Sequence, residues 1–205
     1  MKDFGGLHVI TDVVFQESFS HVQLAQMAVA GGAGAIQFRQ KEGSTRSLIE
    51  TAIAMKVVCG DVPLIVNDRV DVAIASDADG VHLGQEDFPI AKARELLGDQ
   101  AIIGGTSKTL EQAQQCIDEG ADYVGFGPIY ATGSKADAGL VKGTDGLRGF
   151  VDALDIPIIA IGGIGLDTVG DVMAAGAHGI AVISAVCSQK NPTGATRELV
   201  ARMER

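Results

Sequence analysis

A closed (β/α)₈ barrel is the fold class this sequence predicts, and three observations predict it. Short apolar runs alternate with longer segments of helical character along the whole chain. One glycine punctuation closes several of those helices, and the distinctive polar residues fall just after the apolar runs.

The candidate strands are residues 7–11, 35–39, 63–66, 80–83, 101–103, 123–126, 157–161 and 179–184. Most are near-continuous β-branched or apolar runs, as expected of parallel strands covered on both faces. Helical candidates between them include 22–30, 48–58, 110–119 and 169–175. In the first, Val22, Ala25 and Val29 keep helical spacing while Gln26 interrupts the stripe. Ala30-Gly31-Gly32-Ala33, Glu119-Gly120-Ala121-Asp122 and Ala175-Gly176-Ala177-His178 each place glycine between a helix and the next strand. Glycine accepts the left-handed conformation that ends a helix, so this is a repeated α-to-β turn. Eight such units in 205 residues make a compact TIM barrel, a single domain over residues 1–205. An open doubly wound sheet is the alternative, but it favours a glycine-rich first turn, and here that turn reads Thr11-Asp12-Val13-Val14.

Composition narrows the function. With 46% hydrophobic residues the chain buries one sizeable core, and a net charge of −10 argues against nucleic acid or an anionic membrane as partner. Cys59, Cys116 and Cys187 lack metal-ligand or CxxC spacing and read as buried, reduced thiols. There is no signal-peptide pattern and no run of about 18 apolar residues, so we expect a soluble cytoplasmic protein. The sequence leaves room for a homo-oligomer.

In a barrel, chemistry sits at the C-terminal ends of the strands. Ile36-Gln37-Phe38-Arg39-Gln40-Lys41 ends the second strand, and a period of two sends Gln37, Arg39 and Lys41 to one face. Two cations and an amide aimed together suit a phosphate-rich anion. Asn67-Asp68 follows the third strand and Gly84-Gln85-Glu86-Asp87 the fourth. Asp68 and Asp87 each have a plainer reading as helix caps. As a pair at one barrel mouth, two carboxylates instead suit Mg²⁺, which completes its shell with water and substrate phosphates. Gly104-Gly105-Thr106 follows the fifth strand, and the sixth runs into Gly127-Pro128-Ile129-Tyr130-Ala131-Thr132-Gly133-Ser134-Lys135. Gly162-Gly163 after the seventh strand and Ser184 at the end of the eighth suit a backbone phosphate cradle. His8, His21, His82 and His178 show no metal spacing, and no nucleophilic triad is present. The residues alone therefore point to a barrel enzyme handling phosphorylated substrates, with Mg²⁺.

Together these segments resemble the thiamine-phosphate synthases (thiamine-phosphate pyrophosphorylases), from Ile10-Thr11-Asp12 through Ala181-Val182-Ile183-Ser184-Ala185. The most specific parts are Gln37-Phe38-Arg39-Gln40-Lys41, Asn67-Asp68-Arg69-Val70-Asp71 and Gly80-Val81-His82-Leu83-Gly84-Gln85-Glu86-Asp87. The resemblance implies a transferase joining hydroxymethylpyrimidine diphosphate to a thiazole phosphate, plain or carboxylated, with release of pyrophosphate. It implies that Gln37, Phe38, Arg39, Gln40, Lys41, Asn67, Thr106 and Lys135 hold the pyrimidine diphosphate. Asp68 and Asp87 would bind Mg²⁺, and Thr132, Gly133, Ser134, Gly163, Ile183 and Ser184 the thiazole phosphate. Arg39, Lys41 and Lys135 would stabilise the departing diphosphate in a dissociative reaction that needs no general base. Two departures stand out. After the fifth strand Thr106 and Lys108 occupy the family's serine and histidine positions, and the family's Pro-Thr-x-Thr-Lys reads Ala131-Thr132-Gly133-Ser134-Lys135. The rival expectations are a thiazole tautomerase-like isomerase, which needs an acid–base residue, and a non-catalytic thiazole-phosphate-binding paralogue.

Overall fold

The computed structural model describes residues 4–14, 16–134 and 139–204. It contains a closed, all-parallel, eight-stranded barrel in sequential strand order. The strands are β1 (Leu7–Thr11), β2 (Ala35–Phe38), β3 (Leu64–Asn67), β4 (Gly80–Leu83), β5 (Ile102–Ser107), β6 (Tyr123–Phe126), β7 (Ile158–Ile161) and β8 (Gly179–Val182). β1 pairs with both β2 and β8, which closes the ring. The helices packed outside are α1 (His21–Ala30), α2 (Thr45–Cys59), α3 (Val70–Ser76), α4 (Ile90–Leu97), α5 (Leu110–Asp118), α6 (Gly143–Ala153) and α7 (Val169–Ala174). The short α8 (Ser184–Cys187) and then α9 (Pro192–Met203) follow the last strand. None of the described helices is long and apolar enough to cross a membrane.

Strand parity divides the core into two layers. Outward residues such as Val9, Ile36, Phe38, Val66, Val81 and Val124 pack under the helices. Inward residues Ile10, Ala35, Ile65, Ile102, Tyr123, Ile159 and Ala181 fill the barrel, with Phe4 beneath them. The helix starts are fixed locally. Ser20 and Gln23 form a capping box at α1, Ser44 caps α2, and Thr109 accepts from the Gln112 amide at α5. The predicted α-to-β turn recurs with nearly one geometry: Gly32, Gly120 and Gly176 have φ of 95°, 94° and 93°. After α1 and α5 the Schellman pattern is complete, with Ala33 N donating to Ala28 O and Ala121 N to Cys116 O.

At the opposite rim from the predicted site, one device is used twice. Asp79, just before β4, accepts from the Leu64 amide of β3 and pairs with Lys56 of α2. Asp122, before β6, accepts from the Ile103 amide of β5 and pairs with Arg94 of α4. Each carboxylate ties two strands and a helix together on the face where barrels invest in stability.

The fifth strand is longer than expected. Gly104-Gly105-Thr106, expected to follow the strand, lies inside β5. A Cβ on Gly104 would collide with the Tyr123 ring and sit 2.5 Å from His82 Nδ1, and one on Gly105 would meet Cys116 Sγ at 2.6 Å. The glycines leave room for neighbours rather than turning the chain. All three cysteines are buried and free.

Candidate active site at the barrel mouth

The C-terminal ends of the strands open onto a cavity of about 1070 Å³. Gln37 lines it from β2, and Arg39 and Lys41 line it from the residues that follow the strand. Asn67, Asp68, Asp87 and Thr106 line the adjoining wall, and Thr132, Gly133, Ser134, Gly163, Ile183 and Ser184 the far side. Two expected residues do not reach it. Phe38 points outward and packs edge-on against His21 of α1, with ring centroids 4.9 Å apart. Gln40 turns away and donates to the Glu42 carbonyl at 2.8 Å. Lys135 lies outside the described residues.

Both cations of the β2 wall carry carboxylate partners. Arg39 pairs with Asp12, the residue after β1, which is only 1% exposed. Asp12 is fixed in turn by accepting from the Val14 amide at 2.9 Å. Lys41 Nζ lies 2.5 Å from Asp68 Oδ2. The sequence marked Asp12 only as a strand-end residue. Its pairing comes from the neighbouring strand, which linear sequence does not display.

Neither Asp68 nor Asp87 caps a helix. Arg69 occupies the N-cap of α3 and Pro89 that of α4, both without a side-chain cap bond. Asp68 instead sits at φ +65°, with Arg69 N donating to Asn67 O across it. That left-handed turn is uncommon for a residue other than glycine, and strain of this kind concentrates at functional positions. Asp87 closes its own turn, its carboxylate accepting from Gly84 N at 2.7 Å. A Cβ at position 84 would lie 2.7 Å from that same carboxylate oxygen, so a larger residue there would have to displace the Asp87 side chain. Desolvation, and then the neighbouring Asp68 carboxyl, push the Asp87 pKa above the ordinary carboxylate range. Two carboxylates held this close favour a bound cation, and Lys41 supplies one here. The pair also fits Mg²⁺, which takes one or two protein carboxylates and leaves its other positions to water and phosphate oxygens.

The far wall is built from backbone. Ile129 N donates to Ile161 O and Tyr130 N to Gly162 O, so the chain after β6 crosses the end of β7. Gly162 and Gly163 have φ of 100° and 65°. A Cβ on Gly163 would stand 2.5 Å from the Ala131 carbonyl, so only glycine lets the two loops lie together. Thr132 Oγ1 accepts from Ser134 N at 3.2 Å, shaping the loop that carries both hydroxyls. Lys108 also lines the cavity, and its Nζ approaches the position of a Cβ on Gly139 to 3.8 Å.

The cavity floor holds a ring cluster the sequence did not assign. His82 Nδ1 is 3.0 Å from the Tyr123 hydroxyl, and Nε2 is 2.8 Å from Thr106 Oγ1. His8 beside them is fully buried, and its Nε2 has no partner among the described residues. Burial, followed by the nearby His82, pulls the His8 pKa down to about 3.

An enclosed parallel barrel whose mouth combines cations, a carboxylate pair and a glycine-built wall belongs to the class of (β/α)₈ barrels suited to phosphorylated ligands. The comparisons with known proteins narrow this. The family model for thiamine monophosphate synthase matches residues 7–186. The chain is 49% identical to the thiamine-phosphate synthase of Salinibacter ruber over 205 residues, 99% of this chain and 90% of that protein. It is 48% identical to the corresponding protein of Chloroflexus aurantiacus, covering 94% of this chain and 90% of that one. Thiamine phosphate pyrophosphorylase from Pyrococcus furiosus superposes with a TM-score of 0.88 at 42% identity, over 97% of this chain and 95% of that one. The chain belongs to the thiamine monophosphate synthase family.

Proposed function

We propose that the chain is a thiamine-phosphate synthase. It joins hydroxymethylpyrimidine diphosphate to a thiazole phosphate, plain or carboxylated, releasing pyrophosphate and, from the carboxylated acceptor, carbon dioxide as well. The observation that carries this reading is one cavity with two different anion-suited walls. Arg39 and Lys41 beside the Asp68–Asp87 pair form one, and the Gly162–Gly163 crossing with Thr132 and Ser134 forms the other. Two phosphorylated substrates that must meet need two such walls facing a common space.

In the reaction the bond from the pyrimidine methylene carbon to the diphosphate oxygen breaks, and that oxygen keeps the electron pair. The thiazole nitrogen then forms the new carbon–nitrogen bond with its own lone pair. No proton leaves the nucleophile, so the chain needs no general base. Its task is to stabilise charge on the departing diphosphate and to hold both rings in line. Arg39, Lys41 and Lys135 supply cations for the diphosphate, and Gln37 and Asn67 supply neutral donors. Asp68 and Asp87 would hold Mg²⁺, which when bound supplies further positive charge to the leaving group. Displacing Lys41 from Asp68 would free its ammonium for a phosphate oxygen. Thr132, Gly133, Ser134, Gly163, Ile183 and Ser184 would seat the thiazole phosphate.

Calorimetric titration with inorganic pyrophosphate tests the metal-assisted diphosphate site. Binding is expected with Mg²⁺ present and at least about tenfold weaker without it. Asp68→Asn should remove most of that dependence. Equal affinity with and without Mg²⁺ in the unaltered protein would overturn the metal assignment.

A further inference from the structure

The ring cluster on the cavity floor has a direction. Tyr123 is 1% exposed, and its hydroxyl makes no hydrogen bond among the described residues except to His82 Nδ1. Burial raises the phenol's pKa, so it keeps its proton. A buried hydroxyl with one nitrogen neighbour must donate to it or leave its hydrogen unsatisfied, which is costly. His82 Nδ1 is therefore the acceptor, and the ring proton sits on Nε2. Nε2 then donates to Thr106 Oγ1 at 2.8 Å. Thr106 Oγ1 has accepted one bond and makes no other among the described residues, so its own hydrogen is left for the cavity it lines.

We propose that Tyr123 and His82 are positioning residues that make the Thr106 hydroxyl a dedicated donor to an oxygen of the bound diphosphate. The proposal rests on the diphosphate reading of the mouth and adds a selectivity to it. Phosphate oxygens accept and do not donate, so a hydroxyl locked as donor is matched to them before they arrive. The barrel is cut to hold the relay. A Cβ on Gly104 would collide with Tyr123 and stand 2.5 Å from His82 Nδ1, and one on Gly125 would press His82 Cε1 at 3.0 Å. The Tyr123 and His82 rings stack at an interplanar angle of 28°, with centroids 5.5 Å apart, which limits imidazole rotation.

Imidazole ¹⁵N spectra of the unliganded protein read the relay directly. The expected state is a protonated Nε2 and a bare Nδ1 on His82; a proton on Nδ1 alone overturns the proposal. Titration with inorganic pyrophosphate and Mg²⁺ reads its consequence. His82→Phe and Thr106→Val should each weaken binding about tenfold. The double variant should be no more than about twofold weaker than Thr106→Val alone, because both remove one donor. His82→Gln, which retains an N–H near the Nε2 position, should recover part of the loss. Additive losses without recovery describe a structural role only and overturn the proposal. Should His82→Phe not fold, Tyr123→Phe carries the test: it should weaken binding about threefold and let the His82 proton populate both nitrogens. Failure of the unaltered protein to bind pyrophosphate would defeat the diphosphate reading itself, and this proposal with it. Normal binding that no variant alters would defeat the relay alone.

Discussion

Arg39 reaches the mouth with its counter-charge already attached. Asp12 is almost wholly buried and Arg39 mostly so, and cutting such a pair leaves a charge without its partner. Asp12→Asn should therefore lower stability to urea by about 2–3 kcal/mol. A loss below about 0.5 kcal/mol would mean the pair behaves as a surface contact. His8 gives a pH signature. Its folded pKa is depressed to about 3 against an ordinary value of 6.5, so between those values the unfolded chain binds the extra proton. Stability from this group is present above pH 6.5 and is lost as the pH falls toward 3, by roughly 1 kcal/mol per pH unit. His8→Leu should flatten that part of a pH series of unfolding midpoints, and an unchanged slope would place the acid sensitivity elsewhere. At this scale the sequence is informative where parity rules. Alternation along β2 sends Gln37 inward and Phe38 outward, and Arg39 and Lys41 just beyond the strand line the same cavity as Gln37. Naming Phe38 with its neighbours follows a contiguous motif, while the strand uses every second residue. Asp12 and His82 take their meaning from partners 27 and 24 or more residues away, a relation set by barrel register and invisible along the chain.

Among the elements, β5 shows how one residue type serves two opposed purposes. Gly32, Gly120 and Gly176 turn the chain at positive φ, and their places between helix and strand were legible from the sequence. Gly104 and Gly105 look alike in sequence but lie in an extended strand, giving space to Tyr123, His82 and Cys116. The difference is one of neighbours, and neighbours are known only once the barrel is closed. Gly104→Ala should therefore destabilise by about 1–3 kcal/mol through overpacking. It should also disturb His82, which ¹⁵N spectra would register. A fully stable variant with an unaltered His82 signal would show that the ring cluster has slack. The plainer reading of Asp68 and Asp87 as helix caps fails for a related reason. Both helices begin a residue or more later, and the carboxylates are released to face each other.

For the molecule as a whole, closure brings the ends of eight strands to one rim, so residues from Ile10 to Ser184 share a single cavity. The barrel was legible because its strands are short and mostly apolar, because helical segments separate them, and because one turn is repeated. The mouth was legible in outline because Arg39, Lys41, Asp68, Asp87 and Gly162-Gly163 all come after strands. Division of labour between the two walls was legible only in outline, since the β2 cations are shared with Asp12 and Asp68. The central claim is that this mouth couples two phosphorylated rings with loss of diphosphate. The direct measurement is incubation with hydroxymethylpyrimidine diphosphate and thiazole phosphate, with and without Mg²⁺, followed by mass detection of products. The account predicts thiamine phosphate and pyrophosphate in equal amounts, only when both substrates and Mg²⁺ are present. No thiamine phosphate from folded protein with plain or carboxylated thiazole phosphate would contradict it.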